Sequence, residues 1–229
     1  MITHALRRTS SKRQGKSGKH IILLGNLGSN NLISKDYSNT YNINVASSIF
    51  QGGDKQLSAA LSYDGGYQII NKIWGIGLTR DYGNTWEDIK FDGEIVDKVD
   101  MSSSGRYILV ALSDNILKYT NDLGETWKEI GVANTSGSLR SLFISGNGKY
   151  QFVSFYGTGG ASVSDYYSEN YGYTWNTTTN YFIKNNSNYY IYSSFDGKVM
   201  ITSQNISCDY GATYSDLKIT DSTYYPSKF

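Results

Sequence analysis

The residues that could carry chemistry in this chain are few and poorly placed for it. Cys208 is the lone cysteine, and the only histidines are His4 and His20. A thiol or hydroxyl nucleophile needs an imidazole and a third orienting group nearby, so the spacing argues against Cys-His and Ser-His-Asp sites. The same count excludes zinc sites of His/Cys type. Asp97, Asp100, Asp165 and Glu169 are the acids outside the repeat described below that a two-carboxylate glycosidase would use, with carboxyls about 5–10 Å apart. No His or Arg accompanies them to tune a pKa, so they read as solvated loop and edge acids. No phosphate-cradling Gly loop stands in a strand-loop-helix setting. No metal or cofactor is expected.

The elements behind these residues are legible from a repeat. Five times the chain returns to a hydroxyl residue, any residue, Asp, any residue, Gly, any residue, Thr and an aromatic. The copies centre on Asp36, Asp81, Asp122, Asn170 and Asp209, at intervals of 45, 41, 48 and 39 residues. The glycine column holds Gly83, Gly124, Gly172 and Gly211, with Ser38 in the first copy; the aromatic column holds Tyr41, Trp86, Trp127, Trp175 and Tyr214. Three of the chain's four tryptophans therefore share one repeat position.

The chemistry of this signature is that of a hairpin turn. A short Asp side chain accepts backbone N–H groups just after it, and Gly takes positive φ without a Cβ clash. The Thr leads into the returning strand, and the aromatic tucks beneath the turn. A Ca²⁺ loop would need several oxygen ligands, whereas each copy offers one carboxylate and the fourth has Asn170.

A second motif alternates with the first: Ser62–Tyr67, Ser103–Tyr107, Ser145–Tyr150 and Ser194–Val199, each carrying Gly between apolar runs. Such turns between alternating runs are hairpin signals. Each period thus predicts four antiparallel strands, the description of a propeller blade.

Together the motifs resemble the Asp-box, or BNR, repeat of sialidases, sortilin-type receptor domains, some exo-glycosidases and photosystem assembly factors. The paired pattern is similar to repeat proteins of large DNA viruses, phages and bacteria. The resemblance covers roughly residues 20–219 and implies an all-β propeller whose boxes lie away from the central binding face. It also implies a test for a sialidase-like enzyme, which needs three arginines, a Tyr-Glu pair and an Asp acid. Beyond residue 20 only Arg80, Arg106 and Arg140 remain, and the first two fall on hairpins. The lone proline, Pro226, leaves no Arg-Ile-Pro segment. The triad cannot be built, and the enzyme reading becomes a diverged glycoside hydrolase at most.

The expected architecture is about five four-stranded antiparallel blades, near 20–45, 46–92, 93–131, 132–180 and 181–219 of a single 20–229 domain. An open arc or a piece of a larger propeller is the alternative. Blade one reads as short of its first strand, which residues 220–229 would supply to close the ring. Twenty-one tyrosines, 24 glycines and one proline fit an all-β chain, and no run has a helical period.

Residues 1–19 carry six bases and no acid, while the rest carries 15 bases against 20 acids. This segment reads as a disordered, solubilising tail, with nucleic acid or an anionic surface as its rival partner. The apolar run Ile21–Leu24 is too short for a signal sequence or membrane span. The expectation is a monomer, cytoplasmic or virion-associated.

What remains is binding of a protein or glycan. Tyr166, Tyr167, Tyr181, Tyr189 and Tyr190 crowd blades four and five among asparagines, and Arg140 starts an inner strand. Flat aromatics beside amides suit both partner types. The binding surface is therefore expected on residues 156–166 and 180–190.

Overall fold

A computed structural model describes residues 11–14, 21–24, 32–34, 58–72, 75–113, 116–130, 137–157, 165–178, 191–201 and 205–217. These residues form five antiparallel sheets in chain order. The first joins β1 (Ser11–Gln14), β2 (Ile21–Leu24) and β3 (Leu32–Ser34). The second contains β4 (Ala59–Leu61), β5 (Gln68–Lys72), β6 (Gly75–Thr79) and β7 (Glu87–Lys90). The third contains β8 (Val96–Met101), β9 (Ile108–Leu112), β10 (Leu117–Thr120) and β11 (Lys128–Ile130). The fourth contains β12 (Gly137–Ile144), β13 (Gln151–Gly157), β14 (Asp165–Ser168) and β15 (Asn176–Thr178). The fifth contains β16 (Tyr192–Ser193), β17 (Met200–Ile201), β18 (Asn205–Ser207) and β19 (Ser215–Asp216). Each sheet is an up-and-down meander, and the fold is an all-β propeller.

Both faces of the third and fourth sheets are covered by their neighbours. Along β9, Ile108, Val110 and Leu112 join Ile69, Ile76 and Leu78 of the second sheet. The alternate residues Leu109 and Ala111 join Val153, Phe155 and Tyr166 of the fourth. The period of two thus serves two cores rather than one core and solvent. Phe143 and Phe152 continue the pattern onto Met200 of the fifth sheet. The fourth strands are the outer ones: β7 is largely exposed, whereas β6 is buried throughout.

The first strands lie side by side and are stitched by side chains. The Val99 N–H donates to the Ser58 hydroxyl at 3.1 Å, and that hydroxyl donates to the Val99 carbonyl at 3.2 Å. Asp100 accepts the Ile144 N–H at 2.9 Å. These bonds satisfy backbone groups on a strand edge that the sheet itself leaves unpaired.

One expectation is corrected. Blade one does not lack its first strand, and residues 1–19 are not all free tail, because Ser11–Gln14 pairs with Ile21–Leu24. The register matches the other sheets: Gln14↔Ile21, Leu61↔Gln68, Met101↔Ile108, Ile144↔Gln151 and Ser193↔Met200 close loops of one length. Lys12 and Arg13 hide the strand from a hydrophobicity reading, yet an edge strand tolerates such residues. The ring-closing role expected of residues 220–229 lies outside the described residues.

Candidate functional site

Each described copy of the repeat, here called a box, closes by the same set of bonds. Asp81 accepts the Thr85 N–H at 2.9 Å and the Thr85 hydroxyl at 2.7 Å. Thr79 donates its hydroxyl to Asp81 at 2.8 Å and accepts the Gly83 N–H at 3.0 Å. The pattern recurs with Thr120, Asp122, Gly124 and Thr126, and with Ser207, Asp209, Gly211 and Thr213. Asn170 reproduces it through its amide: Oδ1 accepts the Thr174 N–H, and Nδ2 donates to the Thr174 hydroxyl at 2.8 Å.

These bonds fix the carboxylates in their charged form. Donation from the Thr85 N–H, with the Thr85 and Thr79 hydroxyls, outweighs desolvation and lowers Asp81 to about 2. At Asp122 burial acts upward, but hydrogen bonds from Thr120 and Thr126 hold it at about 2. The Thr213 hydroxyl and N–H bring Asp209 to about 2. A group this acidic and this fully bonded has no proton to exchange near neutrality.

The residue after each box acid adopts positive φ: Tyr82 (62°), Leu123 (67°), Tyr171 (63°) and Tyr210 (62°). Followed by Gly at positive φ, this is a type I′ turn, which matches the twist of a hairpin. The N–H of each of these residues docks on the Gly turn of its own blade: Tyr82 on Gly66, Leu123 on Arg106, Tyr171 on Lys149 and Tyr210 on Lys198. Their rings link blades. Tyr171 stacks on Tyr107 of the preceding blade with centroids 5.0 Å apart, and Tyr210 on Tyr150 at 4.8 Å. Sequence reasoning passed over this column, although the recurrent tyrosine in it was a signal.

The Gly turns also bond to one another. The Tyr63 N–H donates to Ser103, the Ser103 N–H to Gly146, and the Asn147 N–H to Phe195. Gly turns and boxes thus form one end of the propeller. Among the described residues, Tyr63, Tyr82, Tyr173, Phe195 and Tyr210 are exposed there. Among these, Tyr63, Tyr173 and Phe195 are each more than half exposed, at 53%, 59% and 53%.

At the opposite end of the first strands, two sheets carry a matching irregularity. In β8 the pairing shifts between Val96 and Lys98, leaving Asp97 as the extra residue of a β-bulge. In β12 it shifts between Leu139 and Ser141, leaving Arg140 extra. Counted back from Met101 and Ile144, which close equivalent hairpins, both lie four residues away. Asp97 is exposed, and desolvation raises its pKa against the attraction of Lys98.

The expected site residues are not brought together as one patch. Tyr166 belongs to the core, 7% exposed and edge-on to Phe155 at 6.1 Å, so it presents no ring face to a ligand. Tyr167 is partly buried against Phe143, Phe152 and Met200. Both are covered because both faces of the fourth sheet are. Asp100 is taken up by the Ile144 N–H. Arg140 is placed by its backbone alone. Tyr181, Tyr189, Tyr190, the first box with Asp36 and Tyr41, and most of residues 156–166 and 180–190 lie outside the described residues. Of the box aromatics, Trp127 packs edge-on to Phe91 at 5.2 Å, the Trp175 indole N–H donates to Gly172 at 3.1 Å, and the Tyr214 hydroxyl donates to the Met200 sulfur. Trp86 is likewise partly buried.

No family model and no curated protein sequence matches the chain. In structure it is similar to a GH74 enzyme of Niastella koreensis, with a TM-score of 0.65 and 17% identity over 90% of this chain and 37% of that one. It is similar to the GH74 xyloglucanase from Xanthomonas campestris, with a TM-score of 0.59 and 12% identity over 91% and 38%. The β-propeller domain of Cps50 (Swd1) from Myceliophteria thermophila also gives 0.59 and 12%, over 86% and 63%. The chain spans under two thirds of each of these proteins. At such identities the likeness shows the fold, a β-propeller.

Proposed function

We propose that this protein is a non-catalytic β-propeller scaffold that binds a protein or glycan partner. The observation that carries this reading is the aromatic end built by the turns. Tyr63, Tyr82, Tyr173, Phe195 and Tyr210 are exposed on hairpins held rigid by boxes and turn-to-turn bonds. Rigid, exposed aromatic rings lose little entropy on binding and bury large area, the character of interface anchors.

The test compares the parent with a Tyr63→Ala, Tyr173→Ala, Phe195→Ala triple variant of unchanged melting temperature. Both are applied to a glycan array, and both are immobilised for quantitative capture of proteins. A glycan or protein retained by the parent and lost by the variant supports the reading. Equal retention by the two contradicts it.

The second reading, a glycoside hydrolase, is favoured by the GH74 enzymes among the structural neighbours. It needs two carboxyls about 5–10 Å apart across a sugar. The described first strands offer Asp97 and Asp100, and Asp100 is committed to the Ile144 N–H. This commitment favours binding over hydrolysis.

A further inference from the structure

We propose that the exposed apolar face of the fifth sheet is a docking surface for residues 224–229 of this chain, received as a further inner strand. The surface follows a rule that the preceding sheets share. Cross-strand neighbours at one register point at the next sheet: Ala60, Ile69 and Leu78 in the second, Leu109 and Tyr119 in the third, Phe143, Phe152 and Tyr167 in the fourth. The next sheet covers each set from its own inner strand. Val99 and Met101 pack on the first set, Leu142 and Ile144 on the second, and Ile191 on the third with Met200 beside it.

The fifth sheet repeats the set: Tyr192 pairs with Ile201, and Ile201 with Ile206. Here the exposure differs. Tyr192 is 61% exposed and Ile201 38%, against 6% and 5% for their counterparts Phe143 and Phe152. The opposite face of the sheet is spent on the fourth, where Met200 is buried. A contiguous apolar face in water, at the register that is an interface in three other sheets, marks an interaction surface.

Residues 224–229 lie outside the described residues, and their spacing names them as the occupant. The residue that closes the first hairpin of a blade follows the box aromatic of the blade before it: Met101 by 15 residues after Trp86, Ile144 by 17 after Trp127, Ser193 by 18 after Trp175. Fifteen residues after Tyr214 stands Phe229. Strands β8 and β12 carry apolar residues at the closing position and two and five before it: Met101, Val99 and Val96, then Ile144, Leu142 and Leu139. Counted from Phe229, those positions hold Ser227 and Tyr224. Pro226 falls just after the position of the bulged residues Asp97 and Arg140, and proline is tolerated at bulges and on edge strands. Because β8 lies along β4 and β5, and β12 along β8 and β9, an inner strand at 224–229 runs along β16 and β17, over Tyr192 and Ile201. The first sheet has its own inner strand, β1, and does not need this segment.

The experiment uses the full chain in a Cys208→Ser background. Ile201→Cys and Phe229→Cys are introduced together, treated with a short bis-maleimide, and the product is mapped by mass spectrometry. An intrachain link is expected, and none when Lys118→Cys replaces Ile201→Cys. Thermal melts supply a second readout without cross-linker. Tyr224→Ala and Phe229→Ala each lower the melting temperature by several degrees, the scale of a lost buried aromatic. Ile201→Ala and Phe229→Ala combined lose less than the sum of the two alone, as neighbours in contact do. Tyr225→Ala and Lys228→Ala, at the positions between, melt as the parent does. An interchain link would give the face to a second copy and overturn the proposal. Absence of an intrachain link, melts unchanged by Tyr224→Ala and Phe229→Ala, or equal losses at all four positions overturn it as well.

Discussion

The Asp100 carboxylate accepts the Ile144 N–H at 2.9 Å across the boundary between two blades. It also accepts the Met101 N–H at 3.0 Å. A residue that sequence reasoning lists among candidate catalytic acids is thus a clamp between first strands. Asp100→Ala leaves a partly buried N–H without its charged acceptor, which costs about 1–3 kcal/mol. Chemical denaturation of the variant should show that loss with an unchanged slope. A loss below a few tenths would deny the clamp.

Box four is the one that cannot titrate. Asn170→Asp should restore the carboxylate geometry of Asp81, Asp122 and Asp209, which sit at about 2. An unfolded Asp titrates near about 3.9. Because the folded value is depressed, the added stability is present above the unfolded value and disappears as pH falls toward the folded one. Melting curves should show Asn170→Asp above the parent at pH 7 and level with it near pH 2. An equal gain at both pH values would refute the electrostatic origin.

Two glycines at positive φ separate backbone strain from crowding. A Cβ at Gly148 (φ 83°) would collide with the Tyr107 ring of the preceding blade. A Cβ at Gly93 (φ 86°) would meet nothing within 4 Å. Gly93→Ala carries only the left-handed backbone cost, about 1–2 kcal/mol. Gly148→Ala adds displacement of Tyr107 from its stack on Tyr171, so it should lose clearly more. Equal losses in thermal melts would show that the interblade ring contact contributes nothing.

Removal of residues 1–14 deletes β1 and bares the edge of β2. The melting temperature should fall by several degrees, and the truncated chain should aggregate more readily. An unchanged melt would return residues 11–14 to the status of a free tail.

Most of the blade plan is legible in the sequence. The Gly turn and the Asp-box fix two hairpins per blade by local turn chemistry, which sequence spells out directly. The tryptophan column likewise marks where each blade anchors. Features that depend on a neighbouring blade were not legible. Tyr166 looks like any surface strand tyrosine until β13 and its neighbours cover it, and Asp100 looks like a free acid until Ile144 arrives. The bulges at Asp97 and Arg140 exist only as a mismatch of register between strands, which no single segment encodes. Strand β1 was missed because Lys12 and Arg13 carry no apolar signal, even though its loop length matches the other four.

The central claim is that this propeller binds without cleaving. The most direct measurement is release of reducing ends from a panel of plant, microbial and animal polysaccharides, with the parent and Asp97→Asn run side by side. The account predicts no release above the blank by either protein. Release by the parent that Asp97→Asn abolishes would contradict it and make the protein a hydrolase.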